Sequence, residues 1–482
     1  MLIYFIFFFL CCLAGVAQAH VSEQGLVLLL PTDFYIASGV LVVVFTLVLV
    51  FLLPAALSAA IFKPCRLFRI LSGEVSRSSS SGSFYNNNIS RLQAITSLLS
   101  LVFLIVLLYI GFFGNGDPLE NPLPLFIWTI WWIGLPIVQG LIGDIWRWLN
   151  PWVGIYRVLQ YAGWQSPYVL PEKTGQWPGI IIFLLFTSFA LADIAPDAPA
   201  RLSWVVAGYW CTTLICVCLF GDQWFKQGEC FSMLMRRYSQ LSLSGVEQQT
   251  SYIGLPGWRL IANKATSISA AVFILVLLGS GSFDGLNETF TWLAIIGVNP
   301  LEFPGRSAVV SETVTGLLLA NIALVLIYAL CVYIGLQIAN HGSSVVKQTN
   351  FKAAFCALAV ALLPIAFAYH FAHFLTTFLI NSQYALVAAS DPLTNGSDYL
   401  NLGSYYVTTG FMNTPSSVKT IWLTQAMAVV LGHVLSVLIA HTVAVELFGN
   451  TRRAIVSQAP LAVFMVMYTF IGLWLLAAPK GA

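Results

Sequence analysis

The chain alternates between long apolar runs and short polar ones. Ten apolar runs stand near residues 36–62, 93–114, 124–142, 179–194, 203–221, 267–282, 312–338, 353–380, 420–448 and 458–478. A helix that crosses the hydrocarbon of a bilayer needs about 20 apolar residues; most of the runs come close to that or exceed it, and the fourth is short. The stretch Thr291 to Val298 is too short to cross and is expected to lie along the interface. The pattern predicts an all-α polytopic membrane protein with ten transmembrane helices.

Composition narrows this further. Of 482 residues, 59% are hydrophobic and 8% charged, against about 25% charged in an ordinary soluble chain. The bilayer is therefore the expected solvent, and one transmembrane helical domain over 20–482 is the expected organisation. The net charge of +2 and the lack of a basic run give no footprint for nucleic acid. Nine cysteines are present, none in an expected exterior loop, and no C-x-x-C occurs, so no disulfide framework is indicated.

Residues 1–19 have an apolar core followed by Ala17-Gln18-Ala19, a small-x-small run that fits a cleaved signal peptide although no Lys or Arg precedes it. Cleavage there leaves His20 at the mature N-terminus. Basic residues then orient the spans. With the mature N-terminus outside, only Arg201, Arg306, Lys419 and Lys480 of the 21 Lys and Arg fall on the exterior, and 17 fall on the interior. Both mature ends are expected outside, across a bacterial inner membrane. A Ser/Gly/Asn-rich interior linker is expected over 70–92 and the longest exterior loop over 381–419. Trp128, Trp131 and Trp132 open the third run, and Trp146, Trp148 and Trp152 follow it, where indoles favour headgroup level.

One short repeat stands out. Gly143-Asp144-Ile145-Trp146 ends the third run and Gly221-Asp222-Gln223-Trp224 ends the fifth. The expected roles are structural: Gly stops a helix, Asp caps the next, and Trp anchors at the interface. Asp144 and Arg147, three residues apart, are expected to form a local salt bridge.

Candidate chemistry concentrates in the eighth and ninth runs, which hold four of the six histidines: His370, His373, His433 and His441. An ionisable side chain in hydrocarbon needs a partner, a cavity or an ion, and is a functional candidate by default. His370 and His373 share a helix face at i and i+3, and Tyr369, His373 and Thr377 form an i, i+4 stripe there. Pro364, just before them, loosens the helix. Counting from Ala353 places His373 about 30 Å along, near the outer face. His433 lies about 18 Å below the outer end of its own run. His441 is two turns deeper and rotated by about 80°, so spacing argues against a four-histidine cage. The expected site is a metal held by His373, His433 and His370, closed by Asp391 from the exterior loop. Imidazole with carboxylate suits zinc or copper among other ions. A mature His20 adds a chelate of α-amino group and imidazole that favours copper. The bland reading of each histidine is a hydrogen bond between helices. No G-x-S-x-G, H-E-x-x-H, Walker A or G-x-G-x-x-G pattern with its context is present.

Several stretches together resemble the fenitrothion hydrolase family of bacterial integral membrane proteins. They are Ala19-His20, Gly143-Asp144-Ile145-Trp146-Arg147 with Asn150-Pro151-Trp152, Ala372-His373, Ala389-Ser390-Asp391-Pro392-Leu393, Gly432-His433 with Ala440-His441, and Gly472-Leu473-Trp474-Leu475-Leu476. The resemblance implies hydrolysis of an organophosphate triester by a two-component membrane enzyme, and hence a second membrane subunit. It places His20, His373, His433, His441 and Asp391 in matching motifs, whereas His370 departs from the family pattern. Such hydrolysis needs an activated water, for which a bound metal is the usual source. The competing class is a copper-handling membrane protein or metal transporter using the same histidines, and a third is a structural subunit.

Two measurements check this reading. Reporter fusions after Leu71, Gly228 and Asn450 are expected to read cytoplasmic and one after Asn395 exterior; one clear reversal breaks the topology. N-terminal sequencing of the mature protein is expected to begin His20-Val21-Ser22.

Overall fold

The computed structural model describes residues 27, 30–52, 54, 57, 60–69, 91–247, 250–303, 305–341, 349–403 and 407–480. The expected leader, His20 and residues 70–90 of the expected linker lie outside the described residues; Arg91 and Leu92 already belong to a helix. Among the described residues, nine helices are long and apolar enough to cross a membrane, and a shorter apolar helix makes a tenth candidate. In chain order the helices are α1 (Thr32–Leu52), α2 (Arg91–Phe113), α3 (Pro122–Ile142), the shorter α4 (Trp177–Ala192), α5 (Pro199–Phe220), the non-spanning α6 (Cys230–Ser239), α7 (Ile268–Asn287), α8 (Val310–Asn340), α9 (Phe351–Ser390), α10 (Pro415–Phe448) and α11 (Thr451–Ala477). The protein is thus an all-α multi-pass membrane protein. Thr291 to Val298 lies outside the spans as expected and contains the short helix Phe290–Ile295.

Local chemistry moves several boundaries. The first span starts at Thr32 and stops at Leu52 rather than running 36–62. Pro54 follows two residues later, lacks an amide hydrogen and disfavours a helical residue before it. The eighth run becomes a helix of 40 residues, about 60 Å long and twice the hydrocarbon thickness of about 30 Å. It tightens to a 3₁₀ turn at Val360–Leu362, where the Leu363 N–H bonds the Val360 carbonyl. Pro364 has no N–H with which to reach that carbonyl. Because α9 continues to Ser390 and α10 begins at Pro415, the loop expected over 381–419 shrinks to 391–414.

Prolines also shape α3. Residues Leu125–Gly134 are π-helical, and the Leu135 N–H reaches back five residues to the Ile130 carbonyl. Pro136 offers no N–H to the Trp132 carbonyl four residues before it, which leaves that oxygen to another donor.

The bundle is layered from the centre outward. In their most apolar windows α7 and α9 are 78% buried, whereas α5 is 22% and α2 and α8 are 28% buried. The first pair forms the centre and the last three present apolar side chains outward, as lipid-facing helices do. Close approach at the centre depends on small residues. A Cβ on Gly432 of α10 would meet the Ala368 Cβ of α9 at 2.5 Å, and one on Gly335 of α8 would meet the Ser457 carbonyl oxygen of α11 at 2.0 Å.

At the end of the bundle opposite Lys480 lies a small antiparallel sheet that the hydropathy pattern does not reveal. Its order is β1 (Cys65–Arg69), β3 (Thr250–Ile253), β2 (Ser244–Glu247). Cys65 pairs with Ile253, and Ser244 pairs with Ile253 on the other edge. Beside it α6, amphipathic in sequence, is buried on nearly all sides. Glu229 caps it, accepting from the N–H groups of Phe231 and Ser232 and from the Tyr209 hydroxyl. The Phe231 ring packs edge-on against Trp131 and Phe186.

The Gly-Asp-x-Trp repeat is resolved in part. Gly143 and Gly221 both end helices with positive φ, 136° and 65°, a conformation that glycine adopts without steric cost. Capping differs from expectation: the Gln139 side-chain oxygen Oε1, not Asp144, accepts the N–H groups of Ile145 and Trp146. Asp144 receives the Gln139 amide and the Arg147 backbone N–H, while the Arg147 guanidinium lies over Trp148 instead of pairing with Asp144. Trp146 and Trp224 are buried within the protein. Asp222 faces Arg157 at 3.8 Å. Burial raises its carboxyl pKa against the opposing pull of Arg157 and Lys226.

The tight α8–α11 crossing is testable. Gly335→Ala is expected to overpack it and to cost about 1–3 kcal/mol, seen as a lower thermal midpoint in detergent. Gly208→Ala in α5, where a Cβ meets nothing within 4 Å, is the control and is expected not to lower that midpoint, since alanine favours a helix interior over glycine.

Candidate functional site

The site forms where α7 and α9 touch. Gly281 and Gly285, four residues apart, present a small face of α7 to Tyr369 of α9. A Cβ on Gly285 would lie 1.8 Å from the Tyr369 hydroxyl oxygen, so only glycine admits that ring. One turn on, the His373 ring stacks on Tyr369 with centroids 5.8 Å apart and planes 10° from parallel. This contact delivers His373 Nε2 to the Asp284 carboxylate of α7 at 3.2 Å. Both side chains are largely buried, at 8% and 18% exposure. Asp284 therefore supplies the partner that a histidine at this depth requires.

His370, one turn earlier on α9, points to a different neighbour. Its Nε2 stands 3.1 Å from the Trp132 carbonyl, to which Pro136, four residues later, has no N–H to give. A carbonyl only accepts, so Nε2 carries the proton and donates it. Trp132 and Phe374 pack edge-on against the ring, and Tyr238 of α6 lies beyond.

The two histidines line one cavity of about 600 Å³. Tyr369, His373 and Thr377, the stripe expected from sequence, all face it. Its walls are aromatic, with Trp128, Trp132, Phe186 and Trp292 among them, and Leu234 and Tyr238 of α6 stand at its other side. Charged groups collect at the Lys480 end. Lys480 pairs with Glu288 at 3.0 Å, and the Arg306 guanidinium donates to the Ala190 carbonyl. The arrangement is a polar mouth, aromatic walls and a buried imidazole–carboxylate pair. With Nε2–H donating to Asp284, Nδ1 of His373 keeps a lone pair and accepts a proton, and the carboxylate stabilises the imidazolium that results.

The other expected ligands lie elsewhere. α9 and α10 are adjacent, as consecutive spans usually are, but they meet through Ala368 and Gly432 and through a hydrogen bond from the Gln425 amide to the Ala372 carbonyl. His373 and His433 each follow a contact residue by one position, and one position turns a helical side chain by about 100°. His433 is buried, with its Nδ1–H given to the Val429 carbonyl of its own helix at 2.8 Å. His441 sits between helices: the Gln458 amide of α11 donates to its Nδ1 at 3.3 Å, and Phe51 of α1 packs nearby. Among the described residues, Nε2 has no protein partner in either ring. Asp391 lies in the loop after α9, accepting the N–H groups of Asn395 and Gly396 at 3.0 and 2.8 Å.

Among the described residues, no three His, Cys, Asp or Glu side chains come together as a metal would require. The expected grouping of His373, His433, His370 and Asp391 is thus corrected to an Asp284–His373 pair with His370 nearby. His20 lies outside the described residues. Asp284 escaped the sequence reading because the sixth run was ended at residue 282, which left it in a loop. The available signal was Gly281-x-x-x-Gly285, a close-packing spacing with an acid one residue inside it.

Asp391 belongs to a seven-residue loop repeat. Asp391 with Thr394 and Gly396, and Asp398 with Asn401 and Gly403, have the same spacing; all four later residues have positive φ. Asp398 accepts the Ser390 hydroxyl and the N–H groups of Leu402 and Gly403. Those bonds, the Ser390 hydroxyl first, hold its carboxyl below the ordinary aspartate range.

No protein-family model, curated protein or solved structure matches the chain.

The loop reading makes its own prediction. Asp391→Ala is expected to raise protease cleavage within 391–403 and to leave the metal content of the purified protein unchanged. For Asp398 the lowered folded pKa means that its stabilisation is complete above the unfolded value of about 3.9 and is lost as pH falls through the folded value. Loop protection, followed by hydrogen exchange, is therefore expected to hold at pH 5 and above, as carboxylate linkage dictates.

Proposed function

We propose that the chain is a membrane-embedded hydrolase that acts on small, uncharged, partly apolar esters, organophosphate triesters among them. The single observation that carries this reading is the buried His373–Asp284 pair facing an aromatic-walled cavity. Cavities of about 300–1,000 Å³ with few polar groups are the usual form of a small-molecule site. The sequence resemblance supplies the ester class.

The pair provides base catalysis without a third ligand. His373 takes a proton from water as the water oxygen bonds to phosphorus. The bond from phosphorus to the leaving oxygen breaks with its electron pair, and the imidazolium returns the proton to that oxygen. Asp284 holds the ring and offsets the charge, a contribution of about 10²–10⁴ in rate for such general catalysis. Among the described residues the site gathers fewer than the three protein ligands that are the norm for a zinc-like ion. The basic-residue distribution supports placing the Lys480 end of the bundle, and with it the cavity mouth, on the exterior of a bacterial inner membrane. A second membrane subunit is part of this reading through the resemblance alone.

A second reading, an ion-handling membrane protein, is favoured by a different observation: the buried Nε2 atoms of His433 and His441 have no protein partner among the described residues. One experiment separates the two. Purified protein is assayed for release of 4-nitrophenol from diethyl 4-nitrophenyl phosphate. His373→Ala and Asp284→Asn are expected to lose about 10²-fold or more, while His433→Ala keeps activity. Absence of hydrolysis by the wild type overturns the hydrolase reading. Metal-dependent ion flux in vesicles that is lost in His433→Ala and kept in Asp284→Asn establishes the second.

A further inference from the structure

A second cavity, of about 630 Å³, lies between α2, α3, α4 and α5 and is lined almost wholly by apolar side chains. It is a slot rather than a pit. Along α5 it runs from Leu202 to Thr213, eleven rises of 1.5 Å or about 16 Å. That is about half of the 30 Å hydrocarbon core, the depth of one leaflet. Its rim opens where lipid is the solvent: Phe103, Leu185 and Val205 line it and are exposed on the outward faces of α2, α4 and α5.

Four of the polar-tipped side chains in its walls have those tips engaged by protein, whereas the Nε1 atoms of Trp210 and Trp224, also in the lining, have no partner among the described residues. The Tyr209 hydroxyl donates to Glu229, Trp128 Nε1 to the Pro196 carbonyl, Trp146 Nε1 to Ser232 and Trp152 Nε1 to the Trp210 carbonyl. Ring faces and aliphatic groups are what these residues offer to the slot. A ligand there gains from burying hydrocarbon and finds these four polar tips already paired.

We infer that the slot binds one acyl chain of a membrane lipid, entering from the bilayer between the exposed rim residues. This inference is independent of the hydrolytic reading of the other cavity. Length matched to one leaflet, an opening on the lipid-facing flank and an almost wholly apolar lining together favour a chain over a polar solute.

The test is photolabelling in palmitoyl-oleoyl phosphatidylcholine vesicles that contain a trace of phosphatidylcholine with a diazirine in its acyl chain. Adducts are mapped by mass spectrometry after irradiation. Leu202 and Leu317 are equally inaccessible, at 1% and 0% exposure, but only Leu202 lines the slot. Leu202 is expected to carry several-fold more adduct than Leu317 and to approach the lipid-facing Leu326 of α8. Ser100→Trp, which fills the slot, is expected to bring Leu202 down to the level of Leu317 while Leu326 stays unchanged. Should that variant fail to fold, the wild-type ratio decides alone. Equal labelling of Leu202 and Leu317 overturns the inference. So does a disulfide-linked dimer of Leu185→Cys that the wild type does not form, because the slot would then be covered by a second copy.

Discussion

The contact between α7 and α9 at Gly281 and Gly285 governs the interior of this protein. Without side chains at those two positions the helices approach closely enough for the Tyr369 ring to lie against backbone. That placement fixes the next turn, where His373 stacks on Tyr369 and meets Asp284. In water such a pair would contribute little, because exposed charges are well solvated. In a bundle interior the alternative for each group is an unpaired polar atom, which costs several kcal/mol by order of magnitude. The pair is thus both a condition for burying these residues and the arrangement that lets an imidazole exchange protons beside a cavity.

Proline acts as the complementary device. Each one inside a helix removes an N–H, and a carbonyl one turn earlier has to find another donor. At Pro136 the freed oxygen belongs to Trp132, and His370 serves it. At Pro364 the helix tightens to a 3₁₀ turn and satisfies its own carbonyl. The first outcome brings a histidine to the cavity wall, and the second sets the phase of the helix that carries both histidines. The π-helical run in α3 belongs to the same economy, since such irregularities persist where surrounding groups re-satisfy the backbone.

The two cavities show how similar volumes serve different chemistry. One is ringed at its mouth by Lys480, Glu288 and Arg306 and holds an imidazole and a carboxylate inside. The other is walled almost wholly by apolar groups, and the polar tips of Tyr209, Trp128, Trp146 and Trp152 in its lining bond to protein. Trp128 and Phe186 stand in the lining of both, so a single aromatic partition separates a polar environment from an apolar one.

The sequence by itself determined the class of the molecule and the places where chemistry is concentrated. Apolar runs have to be long enough to cross hydrocarbon, and that length is legible without any packing. For the same reason the pairing of α9 with α10 and the Tyr369, His373, Thr377 stripe could be read directly, since both follow from chain connectivity and helical period. Tertiary structure decided which side chains meet. His373 and His433 lie on touching helices, but Ala372 and Gly432, the residues just before them, occupy the contact, and one residue of rotation turns the next side chain by about 100°. Asp284 was hidden because hydropathy marks where a helix leaves the membrane and not what its last turn faces. The small sheet and the burial of α6 were hidden as well. Their partners are distant in sequence, and short polar strands or an amphipathic helix look alike whether they face water or protein. Hydropathy is a property of the chain in one dimension, whereas a site depends on the angle at which each helix is held, and only packing sets that angle.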